Sequence, residues 1–72
     1  MPDADNSYEF GLSVARALAT LSERECLVTF DRLRRDRKLN IAVRQMNLAL
    51  GDPEHMAVAQ EGLRRLGLEH AG

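Results

Sequence analysis

Only one of the 72 residues is a cysteine, and the chain holds no Trp, one Tyr and two Phe. A single thiol excludes an internal disulfide framework and fits a reducing compartment, so the expected location is cytoplasmic. No apolar run approaches the ~20 residues that a membrane-spanning helix needs. Charge of one sign is also missing. Ten Lys+Arg face eleven Asp+Glu, a net charge of −1, so the chain as a whole is no polycation. From Ser7 to Leu50 there is one Gly and no Pro, a helical rather than a strand-and-turn texture. No internal repeat and no low-complexity stretch is present.

Chemical motifs are equally scarce. The sequence shows no Gly-rich phosphate loop, no Gly-x-Ser-x-Gly elbow and no two-His helical motif. Cys26, His55 and His70 do not make a zinc pattern. A chain of this length also lacks volume for an enclosed pocket of the ~300 Å³ that ligand sites occupy. No catalytic residue, cofactor or metal ligand is therefore expected, and the chain is read as non-enzymatic.

What is present is a small globular composition: 44% hydrophobic and 29% charged residues, too apolar and too balanced for a disordered segment. Seventy-two residues make one domain, whose core alone rarely supplies more than ~3–5 kcal/mol. Residues 1–6 read as an acidic tail, the opposite of a secretory or transit signal. Residues 7–68 read as one helical domain and 69–72 as a short tail.

Four helices are expected. In the first, about Ser7–Leu21, helical spacing aligns Phe10, Val14, Ala17, Leu18 and Leu21, and Asn6 with Glu9 resembles a capping box. Strand spacing would instead align Tyr8, Phe10, Leu12 and Val14. The Ala-rich continuation Ala15–Ala19 and the lack of a partner strand favour helix. Ser22-Glu23-Arg24-Glu25 is a capping box for a second helix. Its inner face is expected to carry Cys26, Leu27, Phe30 and Leu33, with outer pairs Asp31–Arg35 and Arg32–Asp36.

A third stripe, Leu39, Val43, Met46 and Leu50, lies well over 100° from the continuation of the second, which runs Arg37, Ile41, Arg44, Leu48. A break is therefore expected at Asp36–Asn40, with Asp36 or Asn40 as cap. At Gly51-Asp52-Pro53-Glu54 the sequence predicts a left-handed Gly51, an Asp52 N-cap and Pro53 at the first position of a fourth helix. That helix carries Met56, Ala59, Leu63 and Leu66 and ends at Gly67, with Leu68 available for a contact after the cap.

The fold class is thus all-α: three to four short antiparallel helices in a small bundle, completed by self-association as a dimer. Phe10, Val14, Leu18, Leu39, Val43 and Met46 are the candidate helical interface. Basic residues cluster at Arg32, Arg34, Arg35, Arg37 and Lys38. Residues 16–44 carry net +4, against −3 before and −2 after them. This cluster is the candidate interaction patch for an acidic partner or a phosphate backbone. Asp31 and Asp36 neutralise part of it, and no aromatic residue is interleaved to stack on bases. A protein-interaction module is therefore the leading expectation, and a small nucleic-acid-binding regulator the alternative.

Leu21-Ser22-Glu23-Arg24-Glu25-Cys26 also resembles the opening of the helix-turn-helix DNA-binding domain of quorum-sensing response regulators. The likeness covers six residues. Arg34–Leu50 departs from that family's Gly-containing turn, small-residue helix and recognition helix, and a capping box accounts for the same letters. No function is carried over from it.

Overall fold

The computed structural model describes residues 8–67. Both expected tails, with Asn6, Ser7, Leu68 and His70, lie outside the described residues. The described residues form four helices: α1 (Glu9–Ala19), α2 (Glu23–Arg35), α3 (Leu39–Ala49) and α4 (Met56–Arg65). The described residues contain no strand, so the helical reading of the first segment holds.

α1 occupies the middle of the packing. It lies against both α3 and α4, which also touch each other, while α2 is attached chiefly along α3. Small residues make the central contacts possible. Ala15, Ala42, Ala49 and Ala59 are fully buried, together with the larger Leu18 and Met46. Gly11 of α1 faces α3 so closely that a Cβ there would sit 2.6 Å from the Gln45 Cβ and 3.0 Å from the Ala42 carbonyl oxygen. At Gly62 of α4 a Cβ would sit 2.5 Å from the Ala15 Cβ and 3.0 Å from the Met46 Sδ. A glycine within a helix costs ~1 kcal/mol relative to Ala. Here close packing is what that cost obtains, since each glycine lets a neighbouring helix approach.

Both ends of α1 are capped by other helices. A helix leaves its first N–H and last C=O groups without internal partners. The expected Asn6–Glu9 capping box lies outside the described residues, and Tyr8, the N-cap residue, makes no side-chain cap bond. Instead Gln45 of α3 accepts from the Gly11 N–H at 2.7 Å. At the other end Arg65 of α4 donates to the carbonyls of Leu18 (3.1 Å) and Leu21, and the Cys26 thiol donates to Leu18 O at 3.5 Å. Arg65 therefore serves the C-terminus of α1 across the bundle.

α2 starts on the expected box. Ser22 Oγ accepts from the Glu25 N–H at 3.2 Å, and Glu25 accepts from the Ser22 N–H at 3.1 Å. The break after it is also as expected, but the caps differ. Asp36 closes α2, and α3 starts after Lys38 with no side-chain cap. The Lys38 N–H reaches Leu33 O at 2.9 Å and the Arg37 N–H reaches Arg34 O at 3.1 Å, the two bonds of a Schellman closure. Arg37 takes the left-handed position, at φ 60°.

The α3–α4 junction differs more. Of the glycines in the described residues only Gly67 has positive φ. At Gly51 the chain continues in tight turns, with Gly51 N bonded to Leu48 O and Asp52 N to Ala49 O. α4 begins at Met56 rather than Pro53. Asp52 still caps backbone, but that of the intervening turn: its Oδ1 accepts from the Glu54 N–H at 3.0 Å. Two expected inner residues also point outward. Leu27 is 71% exposed and Met56 43%. Cys26, Phe30 and Leu33 set the inward direction of α2, and Leu27 lies about 100° round from Cys26.

The central packing makes Gly62→Ala a decisive variant. At an open helical site this change stabilises by ~1 kcal/mol. Here overpacking against Ala15 and Met46 is expected to cost ~1–3 kcal/mol, read as a fall in Tm of ~4–8 °C per kcal/mol. Ala15→Gly in the same chain should recover part of it, since the two sites touch. Gly51→Ala, whose Cβ would meet only Leu48 O at 3.6 Å, should stay within ~0.5 kcal/mol of wild type. A rise in Tm for Gly62→Ala would contradict the close approach.

Candidate functional site

The basic cluster emerges at one place, the C-terminal end of α2 and the turn into α3. Arg32, Arg34, Arg35, Arg37 and Lys38 are all exposed. Asp31 binds Arg34 at 3.2 Å and Arg35 at 3.3 Å, so the expected Asp31–Arg35 pair forms. The Arg32–Asp36 pair does not. Arg32, Arg37 and Lys38 have no carboxylate partner among the described residues. Ion pairs this exposed contribute ~0–1 kcal/mol each, so the cluster is a charged surface rather than a stabilising network. Arg37 adds a strained member. A left-handed non-Gly residue costs ~1–2 kcal/mol relative to Gly, and its side chain makes no bond among the described residues that offsets this.

Apolar side chains stand on the same helix. With Cys26 and Leu33 directed inward, roughly 3.6 residues per turn carry Arg24, Val28 and Arg35 to the opposite side. Val28 is 57% exposed, and Arg24 and Arg35 are exposed. Leu27 forms one lip of an open groove whose far wall is Arg64, Arg65 and Leu66. Val28 borders a second depression with Asp31, Arg32 and Arg35. The exposed surface of α2 thus carries Leu27 and Val28 in its first half, beside Glu23, Arg24 and Glu25, and is mainly cationic beyond them.

The candidate helical interface divides. Leu18 and Met46 are fully enclosed in the chain's own core. Phe10, Val14, Leu39 and Val43 are half-buried against the edge of that core. The large apolar residues that project from α3 are Ile41 and Leu48, 48% and 50% exposed.

A third cluster was not anticipated from the sequence. The Tyr8 hydroxyl donates to Asp52 Oδ2 at 2.8 Å. His55 Nδ1 lies 3.0 Å from the same oxygen and must donate there, because a carboxylate only accepts. The Tyr8 and His55 rings meet edge to face, 5.7 Å apart. The Asp52–His55 spacing is visible in the sequence. Tyr8 lies 44 residues from Asp52, and only the fold brings it in. Asp52, Glu54 and His55 are the groups in the described residues that could converge on a metal ion, but Asp52 already accepts from Tyr8, His55 and the Glu54 N–H. The cluster acts as a clasp tying the start of α1 to the α3–α4 turn. The Tyr8 hydrogen bond, then that of His55, holds the Asp52 carboxyl below its ordinary value. The same bond to Asp52, with desolvation and the negative charge nearby, raises the Tyr8 phenol. At the far end of α4, the Arg64 hydrogen bond lowers Glu61.

Protein-family models, curated proteins and solved structures were all compared with this chain, and none matches it.

The clasp predicts a pH signature. Asp52 has a lowered folded value, so its contribution is present above the unfolded value of 3.8 and fades as pH falls through the folded one. Tyr8 has a raised value, so its contribution is present below 10.0 and fades as pH rises through the folded one. Tyr8→Phe should lower stability between those limits and flatten both limbs of a urea-unfolding series run from about pH 2 to pH 11. An equal loss at every pH would contradict the clasp.

Proposed function

We propose that this chain is a non-enzymatic protein-interaction module that works by presenting helical surfaces, as a small regulator, inhibitor or accessory subunit. The observation that carries the reading is the outward placement of Leu27, Val28, Ile41, Leu48 and Met56. An 8.1 kDa chain has little apolar material to spare, and its small core is built from leucines and alanines with one Met and one Cys. Large aliphatic side chains left outside such a core are the material of interfaces. The buried free thiol of Cys26 supports a reducing, cytoplasmic setting. No helix of the described residues is long and apolar enough to cross a membrane.

The module is proposed to self-associate as a dimer through α3. Ile41 and Leu48 are seven residues apart on one side of that helix, and the half-buried Leu39 and Val43 lie on the same element. Sedimentation equilibrium of the full chain at micromolar concentration should show a dimer. Ile41→Ser with Leu48→Ser should return it to an 8.1 kDa monomer with helix content unchanged. A wild-type monomer through that range would overturn the dimer. Affinity capture from the native cell with nuclease treatment tests the wider reading. A protein retained after nuclease supports it; retention that vanishes with nucleic acid promotes the alternative, a nucleic-acid-binding regulator.

A further inference from the structure

We infer that the outer side of α2 is a docking surface for an acidic amphipathic helix of a protein partner. The inference rests on the interaction-module reading and names both the surface and the chemistry of what covers it.

Three properties of α2 converge. The helix is the least embedded of the four, held chiefly along α3 by the inward stripe Cys26, Phe30 and Leu33. Its outer side can therefore be covered without disturbing the core around Leu18 and Met46. Leu27 and Val28 are the two most exposed large apolar residues of the described chain. They stand between two open depressions, one walled by Glu23, Arg64 and Arg65 and the other by Arg32, Arg35, Asp31 and Asp36. Around and beyond them lie Arg24, Arg32, Arg35, Arg37 and Lys38. Of these only Arg35 is matched by a carboxylate among the described residues, Asp31.

Charge complementarity fixes the occupant. From Arg24 to Arg35 the surface runs roughly 17 Å along the helix, at 1.5 Å per residue. A partner helix of about three turns spans that length. Its aliphatic stripe would cover Leu27 and Val28, and Glu or Asp on either side would meet the arginines. Nucleic acid fits less well. A phosphate backbone offers nothing apolar to cover Leu27 and Val28. The only aromatic residue of α2, Phe30, is directed to the core rather than to bases.

Arg37 supplies an independent sign that the surface is kept for use. Gly is the residue that suits the Schellman position, yet a left-handed Arg occupies it, exposed and adding positive charge where the basic cluster turns the corner into α3. Backbone strain of this kind gathers at binding sites, where the surrounding structure sustains it.

The test uses the full chain and a probe peptide of about 18 residues, a Leu stripe at helical spacing flanked by Glu, followed by amide chemical shifts. Saturable binding is expected, with shifts confined to the outer positions of residues 24–38. Leu27→Ser with Val28→Ser, and separately Arg24→Gln with Arg32→Gln and Arg35→Gln, should each weaken it at least ~tenfold with the melting profile retained. Arg37→Gly should raise Tm while weakening the peptide. Equal binding of the peptide with Lys in place of Glu would overturn the charge argument. Tighter binding of a 20-base-pair duplex at ~150 mM salt, lost with the arginines but indifferent to Leu27 and Val28, would replace the protein partner with nucleic acid. A captured cellular protein whose retention ignores both sets of α2 substitutions would overturn this surface and leave the interaction-module reading standing. Absence of any captured protein would overturn that reading itself.

Discussion

The close approach of α1 to two neighbours at once is the constraint on which the other features depend. Gly11 admits the backbone of α3, and Gly62 admits Ala15 of α1 against α4, with Met46 beside both contacts. Separating these helices by the width of one methyl group would break more than packing. Gln45 reaches the Gly11 amide, and Arg65 reaches Leu18 and Leu21, only because α3 and α4 lie so near. An 11-residue helix whose N-cap Tyr8 makes no side-chain cap bond is marginal alone. Here its end groups are satisfied by the same helices that bury its sides. The Tyr8–Asp52–His55 clasp adds a third tie, at the turn that joins those two helices.

That arrangement needs three helices, and α2 is the one left over. It closes the bundle with Cys26, Phe30 and Leu33 and otherwise faces solvent. Its charge follows from its position. A helix with one buried stripe has a wide outer surface to fill, and this sequence fills it with arginines, the carboxylates Glu23, Glu25 and Asp31, and two aliphatic residues. α2 leaves Leu27 and Val28 outside the core. It would gain from Gly in place of Arg37. The division between a tightly enclosed α1 and an outlying α2 is the physical basis of the functional reading.

The four helices were legible in the sequence, and so were most of their ends, because local chemistry sets them. The α3–α4 junction was not, since the chain turns through residues 51–55 before α4 begins at Met56. The Ser22–Glu25 box, the phase change after Leu33 and the Gly67 terminus each involve residues a few positions apart. What depended on neighbours was not legible. Leu18 and Met46 looked like interface because their stripes are apolar. Only the pairing of α1 with α3 and α4 shows that the chain encloses them itself. Leu27 looked buried because it adjoins Cys26, but α2 has a narrow inner stripe and a single main neighbour. Gly11 and Gly62 carry no local sign of their role, since a close approach needs both partners in view. Tyr8 could not be joined to Asp52 across 44 residues of chain. The basic cluster was visible as letters; that it shares its helix with exposed aliphatics was not.

Native-state hydrogen exchange tests the division between α1 and α2 most directly, because it reads the opening of each helix separately in the intact chain. The account predicts that amides from Leu12 to Leu18 exchange only through global unfolding. Amides from Asp31 to Arg35 should open at a measurably smaller free energy, with the rest of the bundle intact. Equal protection in α1 and α2 would contradict it, placing α2 within the same cooperative core and removing the physical ground for treating its outer side as a surface held apart for a partner.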